Sequence, residues 1–173
     1  MSKTKRAGAV GAIVLATVVS VLLVQVAIAK VSSPANTVVA NGTLDQTKVA
    51  RSNDAFSDST AAWVNVPGMS VNVNATGKSL ILISFTAEST CYNASDVGWC
   101  SLRARVGNKT LEPDEGTNFA WQGGTSINAY EGLAMTRSRI VGSGTYTVKI
   151  QMDSNGNDFR LDDMSFVVQV IDV

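Results

Sequence analysis

Five carboxylates, Glu88, Glu112, Asp114, Glu115 and Glu131, are the groups that acid–base chemistry would recruit in this sequence. Glycoside hydrolysis needs two carboxyls about 5 to 9 Å apart, one of them with a raised pKa. Nothing in the spacing pairs these five, and acidic residues in Gly- and Pro-containing loops are usually solvated. Histidine is absent. That removes Ser-His-Asp and Cys-His catalysis and the commonest zinc ligand. The expectation is therefore no catalytic residue and no enzyme. A histidine-free, carboxylate-dependent glycoside hydrolase using Glu88 stays open as the lesser alternative.

Three other constellations suit binding. Asp153, Asn155, Asn157 and Asp158 present side-chain oxygens in a short run, as hard cations such as calcium require. Gly156 stands at the fourth place of that run, and Met164 occupies the position where a bidentate Glu would be needed. A hairpin turn on Asn155-Gly156 is the plainer reading. Trp99, Trp121 and Tyr92, with Trp63 and Tyr130, could form a sugar-stacking face. Trp99 and Trp121 sit beside polar loops and are the better candidates, although nothing groups the rings on one strand and core roles are the plainer reading. Arg103 and Arg105 share one strand face, and so do Arg137 and Arg139. If those two strands are neighbours, four guanidinium groups make an anion patch; if not, each pair is a wet face.

The elements that must position these groups are short strands. Ala62, Val64 and Val66 share one face, with Trp63 and Asn65 on the other. Pro67-Gly68 reads as a turn, and Met69, Val71 and Val73 alternate beyond it. Residues 79–87 are apolar on both faces, with Leu80 and Leu82 against Ile81, Ile83 and Phe85; such a strand lies centrally or is covered twice. Cys100, Leu102, Ala104 and Val106 point inward, with Ser101, Arg103 and Arg105 outward. Residues 111–128 read as a long loop plus a short strand, and residues 133–141 as a strand with the second arginine pair. Tyr146, Val148, Ile150 and Met152 alternate with Thr145, Thr147, Lys149 and Gln151, the cleanest two-faced pattern in the chain. Residues 159–161 and 164–173 finish the domain as strands. No stretch after residue 30 has a helical period. The fold class is all-β, an antiparallel β-sandwich of jelly-roll type.

One N-terminal hydrophobic helix is expected before the sandwich. Lys3, Lys5 and Arg6 precede an uncharged stretch, residues 7–29, that ends in Ala27-Ile28-Ala29. A basic start, an apolar run and an A-x-A step form an export signal. At 1.5 Å per residue the run makes about 34 Å of helix, enough to cross a bilayer core if it is not cleaved. Residues 1–29 thus read as a signal peptide or a signal-anchor, with cleavage after Ala29 preferred. Residues 30–43 read as a tether with room for an edge strand, and residues 44–173 as the sandwich. Either way the C-terminal part is secreted or otherwise extracytoplasmic, and membrane contact is confined to residues 7–29.

Export bears on the two cysteines. Cys91 and Cys100 should be oxidised and paired outside the cytosol. Without residues 1–29, 11 basic residues face 14 acidic ones, a mildly acidic surface poor for nonspecific nucleic-acid binding. No cofactor is expected apart from the calcium alternative.

The strings Ser79-Leu80-Ile81-Leu82-Ile83-Ser84-Phe85-Thr86-Ala87-Glu88, Gly144-Thr145-Tyr146-Thr147-Val148 and Phe159-Arg160-Leu161-Asp162-Asp163 carry a family resemblance. On them the second half resembles bacterial members of the jelly-roll group of tumour necrosis factor-like and complement-type globular heads. The Gly-x-Tyr entry to a late strand, familiar in that group, is matched by Gly144 and Tyr146. The resemblance implies a compact sandwich, often a homo-oligomer (a trimer), that binds a protein or glycan ligand rather than catalysing a reaction. The sequence reading is accordingly an exported binding or structural module, with a carbohydrate-binding module as the first alternative.

Overall fold

The structure, a computed structural model, describes residues 42–93, 99–113, 119–122 and 130–173, the side chains of 119–122 excepted. The chain divides into two units, Met1–Val39 and Ala40–Val173. The first, with the expected leader and most of the tether, lies outside the described residues. Among the described residues no helix is long and apolar enough to cross a membrane.

The second unit is built of antiparallel strands. They are β1 (Thr43–Ser52), β2 (Phe56–Asp58), β3 (Val64–Ala75), β4 (Ser79–Tyr92), β5 (Trp99–Val106), β6 (Lys109–Thr110), β7 (Phe119–Gln122), β8 (Glu131–Val141), β9 (Gly144–Asp153) and β10 (Asp158–Asp172). One sheet, here sheet A, has the order β1-β10-β4-β8, with β2 also on β10. The other, sheet B, has the order β3-β9-β5-β6, with β7 also on β5.

The period-2 pattern of the strands decides what lies between the sheets. From sheet A, Ile81, Ile83 and Phe85 of β4 and Phe159, Leu161, Phe166, Val168 and Val170 of β10 are fully buried. From sheet B, Leu102 and Ala104 of β5 and Val148, Ile150 and Met152 of β9 meet them. Phe85 and Phe166 are direct cross-strand partners, and their rings meet edge to face at 6.5 Å. Cys91 and Cys100 are disulfide-bonded, as expected, and the bond ties β4 of sheet A to β5 of sheet B. The open side between β1 and β3 is sealed by Gln46, whose amide donates to Asn74 O (2.8 Å) and accepts from Asn74 N (3.3 Å).

Two local expectations change and a third is refined. Pro67-Gly68 does not separate two strands: β3 runs through it. Asn65 pairs with Gln151 and Ser70 with Lys149, so residues 66–69 bulge opposite Ile150 alone. Pro67 has no amide to donate and Gly68 takes a positive φ of 74°, so the pair fits a bulge as well as a turn. The bulge drops both Val66 and Met69 into the core. Likewise, β10 is one strand, its register broken between Asp162 and Ser165, with Asp163 at φ 45°. Finally, β4 is central, as its apolar faces suggest, but Leu80 and Leu82 are only half-buried, on the outer side of sheet A.

Candidate functional site

The outer side of sheet B collects the polar positions of three adjacent strands. On β5 the inward residues Cys100, Leu102 and Ala104 leave Trp99, Ser101, Arg103 and Arg105 on the opposite side, Ser101 buried there. On β9 the same alternation puts Lys149 and Gln151 on that side, with Gln151 buried there, and on β3 it does so for the exposed Asn65, Ser70, Asn72 and Asn74. Cross-strand register then aligns them in rungs. Asn65, Gln151 and Arg103 form one rung, and Ser70, Lys149 and Arg105 the next.

The first rung is wired together. Arg103 Nε donates to Gln151 Oε1 at 2.8 Å, and Gln151 Nε2 donates to Asn65 Oδ1 at 2.9 Å. The Arg103 guanidinium lies over the Trp63 ring, 4.0 Å from its centroid. This is a cation–π stack, held in plane by a side-chain amide. Along β3 and β9, Thr147 donates to Asn72 Oδ1 (2.8 Å) and Thr145 to Asn74 Oδ1 (2.9 Å). Along β5, Trp99 stands 56 % exposed at the far end. Fixed amides, hydroxyls and planar cations beside aromatic rings are the groups that hydrogen-bond hydroxyls and stack on the apolar faces of rings.

The four arginines do not converge. β5 lies in sheet B and β8 in sheet A, so the two strands are not neighbours and the two pairs share no sheet face, although Arg139 reaches Thr110, the cross-strand partner of Arg105. Arg139 Nη1 donates to Thr110 O at 2.7 Å and lies 3.5 Å from Glu112 Oε1. Arg137 Nη1 donates to Thr136 O. Because Leu133 and Met135 of β8 point into the core, the register carries Arg137 and Arg139 to the inner side of an edge strand. There they trim the open edge of the sandwich, which is a structural use.

The rings do not converge on one strand either. Trp99 opens β5. The backbone of Trp121 pairs with Cys100, and its side chain lies outside the described residues. Tyr92 is half-buried at the end of β4 opposite Asp158, and Tyr130 faces Arg160 at 6.0 Å. Trp63, not one of the two better candidates Trp99 and Trp121, is the ring under Arg103. Asn65, Lys149 and Gln151 were not singled out from the sequence. Their signal was the polar half of the alternation on β9, which becomes a site only once β9 is known to pair with both β3 and β5.

At the calcium candidate, Asn155 and Gly156 take φ values of 52° and 81°, and Asn157 N donates to Ser154 O at 3.0 Å. Two successive positive φ angles make the tight hairpin turn expected of Asn-Gly. Asn157 is 5 % exposed; its Nδ2 donates to Trp99 O and Ser154 O (2.8 Å each) and its Oδ1 accepts from Asn93 Nδ2 (2.8 Å). Asp153 Oδ1 accepts from Asn155 N at 2.9 Å. The turn thus spends Asp153 and Asn157 on its own backbone and on anchoring the β4–β5 end. Among the described residues no group of three or more acidic or cysteine side chains could hold a metal ion.

Glu88 faces Asp162 directly across β4 and β10 on the outer side of sheet A. Asp162 Oδ2 accepts from Arg160 Nη2 at 2.8 Å. That hydrogen bond, with a second from the Asp163 amide, holds the Asp162 carboxyl below the ordinary carboxylate range. An acid catalyst needs the opposite shift.

No family model matches this chain, and no curated protein sequence matches it. Solved structures similar to it include the dimeric latent PorU from Porphyromonas gingivalis, at 13 % identity and a TM-score of 0.46, covering 80 % of this chain and 14 % of PorU. They also include a family 35 carbohydrate binding module from Clostridium thermocellum, at 10 % identity and a TM-score of 0.37, covering 70 % of this chain and 98 % of the module. A third is a protein of infectious bursal disease virus strain Gx, at 14 % identity and a TM-score of 0.43, covering 80 % of this chain and 37 % of that one. This chain spans about a seventh of the PorU chain's length.

Proposed function

We propose that this protein is a non-catalytic, exported binding module of jelly-roll architecture that recognises a glycan across the outer side of sheet B. The strand orders β1-β10-β4-β8 and β3-β9-β5, with β7 on β5, support the jelly roll: successive long strands wrap between two sheets as two Greek keys. The disulfide supports export, since such bonds persist in oxidising compartments. One observation carries the glycan reading. The Trp63–Arg103–Gln151–Asn65 chain is a preorganised polar and aromatic platform, in which Gln151 is buried, Trp63, Arg103 and Asn65 keep exposure, and all but Trp63 stand on strands. The lowered Asp162 carboxyl, the cross-strand partner of Glu88, does not supply the protonated acid that the hydrolase alternative needs.

Truncating Trp63 to Ala removes the base of the stack, and Gln151→Ala releases Arg103. Each is expected to weaken retention of the protein on immobilised polysaccharide by about 10-fold or more, the cost of losing a central contact. Affinity electrophoresis through dextran and polygalacturonate, with circular dichroism to verify the fold, makes the measurement. Wild-type-like retention by both folded variants would contradict the assignment.

A second reading, self-association, is favoured by the outer side of sheet A. There Leu44, Ile171, Leu80 and Ile140 form one continuous cross-strand rung of apolar side chains, and Val49 pairs with Val167 further along. Leu44 and Ile140 are 52 % and 44 % exposed. The edge strand β1 carries a bulge and two cations, Lys48 and Arg51, which discourage strand addition, so the face rather than the edge is the surface open to a second copy. Sheet-to-sheet packing of one such patch on itself gives a two-fold dimer, whereas the family resemblance implies a trimer. Sedimentation equilibrium is expected to show a concentration-dependent dimer that Leu80→Lys abolishes; a wild-type monomer at high concentration would remove this reading.

A further inference from the structure

The glycan reading leaves the chemical class of sugar open, and the second rung of sheet B narrows it. Lys149 and Arg105 are direct cross-strand partners, so two cations stand face to face on one side of the sheet. Like charges directly opposite weaken a strand pair unless something neutralises them. Among the described residues no carboxylate pairs with either: the ion pairs there are Arg139 with Glu112 and Arg160 with Asp162. The Arg105 guanidinium has a hydrogen bond to Asn108 O, while its Nε is shielded from solvent without a partner. Arg103, engaged by Gln151 and Trp63, stands two residues along β5. Among the described residues of this side of sheet B the carboxylate is Asp153, which bonds the Asn155 amide at the turn. The protein as a whole carries no excess of cations, so the concentration of them here is local.

We infer that the outer side of sheet B binds an anionic glycan, with Lys149 and Arg105 receiving a carboxylate or sulfate group while the Trp63–Arg103–Gln151 platform receives the sugar ring beside it. This rests on the glycan reading above. A guanidinium presents paired donors to a planar or tetrahedral anion, and a lysine adds a mobile point charge. The same rung would then hold two opposed cations at ease only when the ligand's charge lies between them.

The test uses the full chain and three polymers: polygalacturonate for carboxylate, dextran sulfate for sulfate, and dextran as the neutral reference. Titration calorimetry is expected to show a polyanion bound at least 10-fold more tightly than dextran, with affinity falling as salt rises. Lys149→Gln and Arg105→Gln should each lower polyanion affinity about 10-fold and leave dextran unchanged, while Lys149→Arg retains it. The polyanion that binds more tightly identifies the anion. Equal affinity for charged and neutral polymers overturns the inference and leaves the glycan reading standing. So does polyanion binding that neither Gln variant reduces. Binding of none of the three overturns both. Binding of inorganic sulfate as tight as that of dextran sulfate also overturns the inference, since the ring would then contribute nothing.

Discussion

Replacing Phe166 by alanine is expected to destabilise the sandwich by about 3–5 kcal/mol. Phe166 is fully buried near the middle of β10, which has strand partners on both sides in sheet A, and it touches Phe85 edge to face. Its removal loses the apolar transfer term and opens a cavity that two hydrogen-bonded sheets cannot close over. A domain of this size has about 5–15 kcal/mol in total, so the variant should unfold at far lower urea or fail to accumulate. An unfolding free energy within about 0.5 kcal/mol of wild type would mean that Phe166 is not packed in the core between the sheets.

The next largest effect belongs to the disulfide. Cys91→Ser with Cys100→Ser removes a ten-residue closed loop, and chain entropy alone makes that roughly 2.7 kcal/mol. The bond also joins the two sheets at the end where Asn157 anchors Trp99 and Asn93. Thermal unfolding of the double variant, followed by circular dichroism, should fall by roughly 10 °C. Wild-type protein under strong reductant should fall alike. An unchanged transition in both would show that the sheets are held at that end without the bond.

Much of the scaffold was legible because it rests on period-2 alternation, which is local. The inward Cys100, Leu102, Ala104 and Val106 of β5 and Val148, Ile150 and Met152 of β9 are buried as their pattern requires. What alternation cannot convey is which strands become neighbours. Arg103 and Gln151 are 48 residues apart and meet only through the β5–β9 register. The same ignorance allowed Arg137 and Arg139 to be grouped with Arg103 and Arg105, although β8 belongs to the other sheet. Pro67-Gly68 failed differently. A bulge and a turn use the same residues, and pairing with β9 on both sides of the bulge is what keeps β3 one strand. Asn155-Gly156 was legible because two positive φ angles in succession are a local demand that few other residues meet.

The binding surface itself is tested most directly by mapping side-chain nitrogen and proton shifts of the full chain on titration with polygalacturonate. The Trp63 indole N–H, the Arg103 Nε–H and the Gln151 amide should move together and saturate, while the Leu80 and Ile140 face of sheet A stays unperturbed. Saturable shifts confined to that apolar face, or to residues 153–158, would contradict the assignment of sheet B as the recognition surface.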